Sequence, residues 1–107
     1  MLSWFDAGGY DVLVGPATAR PPAAAGALAG RGYRVTLARS AWRVPYTQAW
    51  NLAGLPAVVA PVRIGGRPVG VQLVGRPGAE SALLSAAARL EQRDVPMAGA
   101  APRRIYV

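Results

Sequence analysis

Few residues in this chain could attack a substrate or hand on a proton. The serines are Ser3, Ser40, Ser81 and Ser85, and the carboxylates are Asp6, Asp11, Glu80, Glu91 and Asp94. Serine-based hydrolysis needs a nucleophile, a base to take its proton, and donors aimed at the developing oxyanion. None of the four serines lies in a nucleophile elbow or a glycine-serine run, and the chain has neither lysine nor histidine to deprotonate one. Glu80 and Glu91 share a helical stretch, but a rise of about 1.5 Å per residue would hold them roughly 16 Å apart, too far for a two-carboxylate mechanism. They read as solvated helix charges. Histidine and cysteine, the usual metal ligands, are also absent, so no metal and no cofactor are expected.

Two further constellations invite a binding role. Trp42, Tyr46 and Trp50 recur at four-residue intervals, which suits either a ligand-facing stripe or core packing, with Pro45 expected to break a continuous helix there. Gly65-Gly66 has no phosphate-binding pattern around it and no lysine to reach a phosphate, so it reads as a turn.

Composition narrows the class of molecule. With 52% hydrophobic and 16% charged residues, the 107-residue chain is too apolar for disorder and is about the size of one small domain. The net charge of +7 comes from twelve arginines spread from Arg20 to Arg104, with no aromatic interleaving, so no nucleic-acid partner is expected. Coding bias toward Arg, Ala, Gly and Pro accounts for them without a ligand. No basic, apolar leader opens the sequence and no run approaches the length of a membrane span, so a cytoplasmic location and no membrane partner are expected.

The elements that would position these residues follow from periodicity and breakers. Residues 1 to 9 read as the tail of a helix ended by glycine, and Tyr10 to Val14 as a buried strand stopped by Gly15-Pro16. Ala17 to Gly30, interrupted by Pro21-Pro22 and two glycines, reads as a long loop. Apolar residues at Tyr33, Leu37, Ala38, Ala41 and Trp42 predict an amphipathic helix over 33–43 that Pro45 ends. Runs over 57–64 and 69–74, joined through Gly65-Gly66, predict an antiparallel hairpin covered on both faces, with Pro61 marking an edge or a bulge. The clearest helix spans 80–93, with Leu83, Leu84, Ala87 and Leu90 on one stripe. Residues 96–107 read as a flexible tail after a partial domain over 1–95. The fold class is therefore α/β, with a mixed sheet and flanking helices.

Three ordered blocks carry a resemblance. They are Tyr10-Asp-Val-Leu-Val-Gly-Pro16; then Tyr46, Thr47, Asn51, Gly54 and Pro56; then Gly66, Pro68, Gly70, Gln72, Gly75 and Pro77 before the helix that begins at Glu80. In order and spacing they resemble the C-terminal part of the amidase-signature family, over roughly residues 4 to 93. Members of that family hydrolyse or transfer carboxamides with a serine nucleophile, a second serine on a cis peptide and a lysine base, all carried in an N-terminal portion that has no counterpart here. The resemblance implies that Thr47, Trp50 and Asn51 are substrate-binding or pocket-supporting candidates, with no catalytic residue among them. It also implies a less polar amide than glutamine, because Val44 stands where glutamine-using members tend to carry an Asp. Ala79 replaces the acid often found at the start of the last helix, which removes a cap. A missing N-terminal amidase portion is the expected partner, and an amide substrate is expected only in the complete enzyme. The alternative is a non-catalytic interaction module that docks on a separately encoded amidase half or on another protein.

Overall fold

The computed structural model describes residues 2–95. Helix α1 (Leu2–Gly8) leads to strand β1 (Val12–Pro16), and helices α2 (Tyr33–Ala41) and α3 (Pro45–Ala53) follow the intervening loop. Strands β2 (Ala57–Ile64) and β3 (Arg67–Gly75), helix α4 (Glu80–Glu91) and the two-residue strand β4 (Asp94–Val95) complete it. The sheet order is β1-β3-β2-β4, with β1 and β2 antiparallel to β3 and β4 parallel to β2. The architecture is thus α/β with a mixed sheet, as expected. The predicted tail over 96–107 lies outside the described residues.

The hairpin forms because Gly65 and Gly66 both take positive φ, 57° and 75°, the pair of left-handed conformations that a two-residue turn of this hand requires. β3 starts at Arg67, two residues before the predicted Val69, because Pro68 is already in register with Arg63. Pro61 pairs with Gly70 in an unbroken register, so it makes no bulge. Its missing donor falls where β2 has no second neighbour, since β4 reaches only Arg63 and Ile64.

β1 lies two residues later than the predicted 10–14. Tyr10 is drawn away from it: its amide donates to the Phe5 carbonyl at 3.1 Å, and its ring stacks on Trp4 with centroids 4.8 Å apart. Pro16 is instead the last residue of the strand, opposite Val71, and is tolerated because β1 lies at the sheet edge.

Partners in register project to the same side of a sheet, so the two faces can be told apart. One face places Ala60 and Leu73 beneath Leu83 and Ala87 of α4, with Val58, Val71 and Leu90 packed around them. The other face places Val74 against Phe5 of α1 and Leu55, with Leu13 and Trp50 beside them. Fully burying a side chain such as Leu73 or Leu83 contributes about 1.5–3 kcal/mol. Coverage is incomplete, contrary to the expectation of strands enclosed on two sides. Val14, Val59 and Val69 remain exposed, because no element of the described chain lies over them.

The 33–43 helix is found as α2, ending at Ala41, but its predicted apolar stripe does not face a core. Tyr33 is 78% exposed, Leu37 54% and Trp42 73%, while Thr36 and Ser40 are the half-buried positions of the helix. α3 was not anticipated. Pro45 begins this helix instead of only ending the previous one, because the first-turn amide of a helix needs no intrahelical partner and proline's fixed φ suits that position. Gly54 closes α3 in the left-handed conformation, φ 65°, and its amide donates to the Asn51 carbonyl. The loop between β1 and α2 is a loop as predicted, tied down where Ala17 donates to Gly70, Ala19 to Arg43, and the Arg43 guanidinium to the Pro21 carbonyl.

Candidate functional site

α3 lies against the sheet face that α4 does not cover, and between them is a half-open cavity of about 320 Å³. Leu13 and Gly15 of β1, Tyr46 and Trp50 of α3, and Gln72 and Val74 of β3 line it. The helical repeat explains which α3 residues reach it. Tyr46 and Trp50 are four apart and share a face, whereas Thr47 and Asn51 fall on the neighbouring face. The aromatic trio of the sequence is therefore split. Trp42 caps the C-terminus of α2 and is exposed, and only Tyr46 and Trp50 meet at the cavity.

The three residues singled out from sequence have distinct surroundings. Trp50 is half-buried, packed against the cluster of Phe5, Leu55 and Val74 while lining the cavity. The Thr47 hydroxyl donates to the Val44 carbonyl at 3.3 Å, which spends its hydrogen on the first turn of its own helix. Asn51 is exposed and is not among the cavity residues. The structure brings Trp50 to the cavity and leaves Thr47 and Asn51 beside it.

Gln72 is the residue that sequence reasoning passed over. It is only 5% exposed, the sole buried polar or charged residue among those described, and it sits between Gly15 of β1 and Val59 of β2 in the sheet register. A single carboxamide inside the apolar run Val69 to Val74 was the available signal. The side-chain hydrogen bonds among the described residues include none to its amide. Gly15 makes the room: a Cβ built there would meet nothing within 4 Å.

A larger cavity, about 470 Å³, lies near the loop and the end of α2, lined by Arg20, Arg39, Trp42 and Arg43. It gathers arginines that are scattered in sequence, but its lining has no buried polar group. The smaller cavity is the better candidate because size alone does not select a ligand, and it adds the amide-bearing Gln72 to aromatic and aliphatic walls. Arg76 plays a structural part: it pairs with Asp6, donates to the Tyr10 carbonyl at 3.3 Å and lies 5.8 Å from the Phe5 ring centre, joining α1 to the end of β3.

Among the described residues there is no cluster of His, Cys, Asp and Glu able to hold a metal ion, and no helix is long and apolar enough to cross a membrane.

Comparison with known proteins places this arrangement. The family model for Amidase matches residues 1–84. "Putative amidase AmiB2" of Mycobacterium tuberculosis is 48% identical over 83 residues, covering 76% of this chain and 18% of that protein. AmiA2 of Mycobacterium bovis, named in the same way, is 40% identical over 83 residues, covering 76% of this chain and 17% of that protein. AmiC of Mycobacterium bovis, also so named, is 37% identical over 87 residues, covering 79% and 18%. The chain thus spans less than a fifth of the length of these relatives. No solved structure matches it. The match of the Amidase model to 84 of 107 residues, on the blocks that frame the cavity, makes this chain a member of the amidase family.

Proposed function

We propose that this chain is the C-terminal piece of a carboxamide-hydrolysing amidase, contributing sheet, helices and one pocket wall, and that it is inert by itself. One observation carries the reading: the chain matches amidases over less than a fifth of their length and has no lysine or histidine to serve as a base. In the complete enzyme, the serine nucleophile, the serine on a cis peptide and the lysine would come from the N-terminal portion. Trp50 would then face the substrate, with Thr47 and Asn51 supporting the helix that carries it. Val44, at the N-terminus of α3, puts no charge near the pocket, which favours an amide with an apolar substituent over glutamine.

Two experiments test this. Several hundred bases of coding DNA upstream of Met1, read in all frames, are expected to encode a lysine and a glycine-serine-rich run. In a second experiment, the matched 83 residues replace the corresponding segment of AmiB2, and the chimera is assayed beside AmiB2 on a panel of aliphatic and aromatic amides. The chimera is expected to hydrolyse the amides that AmiB2 hydrolyses, and the isolated chain none. Hydrolysis by the isolated chain would overturn the proposal.

A second reading is favoured by the exposed stripe of Tyr33, Leu37 and Trp42: a non-catalytic module that docks on a separately encoded amidase half. Co-purification with one stoichiometric amidase partner would support it over a severed piece of a single chain.

A further inference from the structure

We propose that the outer edge of β1 is an interface at which two copies of this chain pair strand to strand, about a two-fold axis at Val14, so that two four-stranded sheets become one. This goes beyond the amidase reading and does not rest on it, since the pairing needs only the described sheet.

β1 is the last strand on its side of the sheet, and β3 is its one neighbour among the described strands. Along an antiparallel pair, residues that exchange both backbone hydrogen bonds alternate with residues whose N–H and C=O point away. Just past the end of β1 the Ala17 amide donates to the Gly70 carbonyl at 3.1 Å, so the backbone groups of Ala17, Gly15 and Leu13 face β3. Those of Val12, Val14 and Pro16 therefore face outward. The far side of β3 agrees. Gly75 donates to the Pro56 carbonyl at 3.0 Å, which gives Gly75, Leu73 and Val71 to β2 and leaves Val74, Gln72 and Gly70 for β1. No turn, loop or cap hydrogen bond among the described residues reaches Val12, Val14 or Pro16.

This edge is self-complementary. With Val14 set opposite Val14 of a second copy, each Val14 amide donates to the other's carbonyl, and each Val12 amide donates to the opposing Pro16 carbonyl. Every outward donor is used, and proline, which has none, stands where only its carbonyl is needed. The same register sets the whole of one strand, Val12 to Pro16, against the whole of the other. The side chains fit it too. Val14 projects from the face that carries Leu73, but it is 57% exposed because α4 packs over β2 and β3. The two-fold axis brings the two Val14 side chains together on that face, covering apolar surface that one copy leaves in water. β1 has no charged residue and no bulge to guard its edge, and its proline stands at the end. The opposite edge of the sheet is guarded, by Pro61 facing outward from β2 and by β4 covering Arg63 and Ile64. β1 is also held without further cover, since β3 pairs with all five of its residues and Val12 and Leu13 pack against the two core clusters.

The test uses the full 107-residue chain carrying Tyr33→Ser and Trp42→Ser, so that association through the α2 stripe is removed. Sedimentation equilibrium of this parent is expected to show monomers and dimers and nothing larger. Val14→Lys and Val14→Glu should each weaken the dimer at least about tenfold, because like charges would stand directly opposite one another. Mixing the two should restore it as a one-to-one pair, which also reports that both variants fold. Val59→Lys, which changes an exposed valine away from β1, should leave the dimer unchanged. In amide exchange, Val12 and Val14 should slow as concentration rises through the dimer range, whereas Leu13 and Gly15, bonded to β3, are protected throughout. A parent that stays monomeric would overturn the proposal and leave the edge to a strand of another chain. So would assemblies that grow beyond two, Val14→Lys dimers as tight as the parent's, or a mixture of the charge variants no tighter than either alone. Exchange at Val12 and Val14 that ignores concentration would overturn it as well. No outcome is read from hydrolysis, so the pairing can fail while the amidase reading stands, and the reverse.

Discussion

The two halves of this chain are built from similar residues and end in opposite states. In β2, β3 and α4 the apolar positions close on one another, with Ala60, Leu73, Leu83 and Ala87 nearly free of solvent. In α2 and α3 no residue is buried, although Tyr33, Leu37, Trp42 and Leu52 are as apolar as anything in the core. Helix periodicity says where a helix is sticky, while only a neighbour decides whether that stripe is covered. The hairpin and α4 bring their neighbour with them in sequence. α2 and α3 do not, and the proposed remainder of the amidase is what would cover them.

The largest test of that contrast is a pair of truncations. Leu83→Ala should cost about 3 kcal/mol, since it removes a side chain that is 2% exposed, whereas Leu37→Ala should change stability by no more than about 0.5 kcal/mol. Urea titration of both variants checks this, with the midpoint shifting in the first alone. Next in size is Gly75→Ala, whose new Cβ would lie 3.0 Å from the Ala79 Cβ and 3.2 Å from a Leu83 methyl. Overpacking of this kind costs about 1–3 kcal/mol, read from the same titration. A change confined to the open half comes third. Tyr33→Ser combined with Trp42→Ser should lower hydrophobic-dye binding and self-association severalfold without moving the melting midpoint, as measured by fluorescence and analytical ultracentrifugation. The smallest effect belongs to the N-terminus of α4. Ala79 has φ −88° and ψ 11°, not the extended backbone that suits a side-chain cap. Ala79→Asp should therefore gain only the dipole contribution, about 0.3–1 kcal/mol, seen as a small rise in melting temperature that salt reduces.

How much could be read from the sequence divides along the same line. The hairpin was legible because adjacent glycines and β-rich flanks leave one local solution, and α4 because its apolar spacing coincides with the face it buries. α3 was missed because Pro45 was weighed as a breaker when it also suits the first turn of a helix, although Tyr46 and Trp50 are spaced for one face of such a helix. β1 was placed two residues early because Tyr10 looks like a strand residue, whereas its ring is held by Trp4. For the candidate site, Trp50 was found from the aromatic spacing and the family blocks. Gln72 was not, because its importance lies in register: only the pairing with Gly15 and Val59 shows that this amide is enclosed beside a gap. The exposure of the α2 stripe could not be seen at all, because periodicity does not say whether a neighbour covers it.

Amide hydrogen exchange on the isolated chain tests the central claim most directly, because it reads the stability of each half separately. The account predicts that amides of β2, β3 and α4 exchange slowly and together, while those of α2 and α3 exchange far faster, near the rate of the loop between β1 and α2. Uniform protection across all the helices in a monomeric chain would contradict it, since α2 and α3 would then need no further cover.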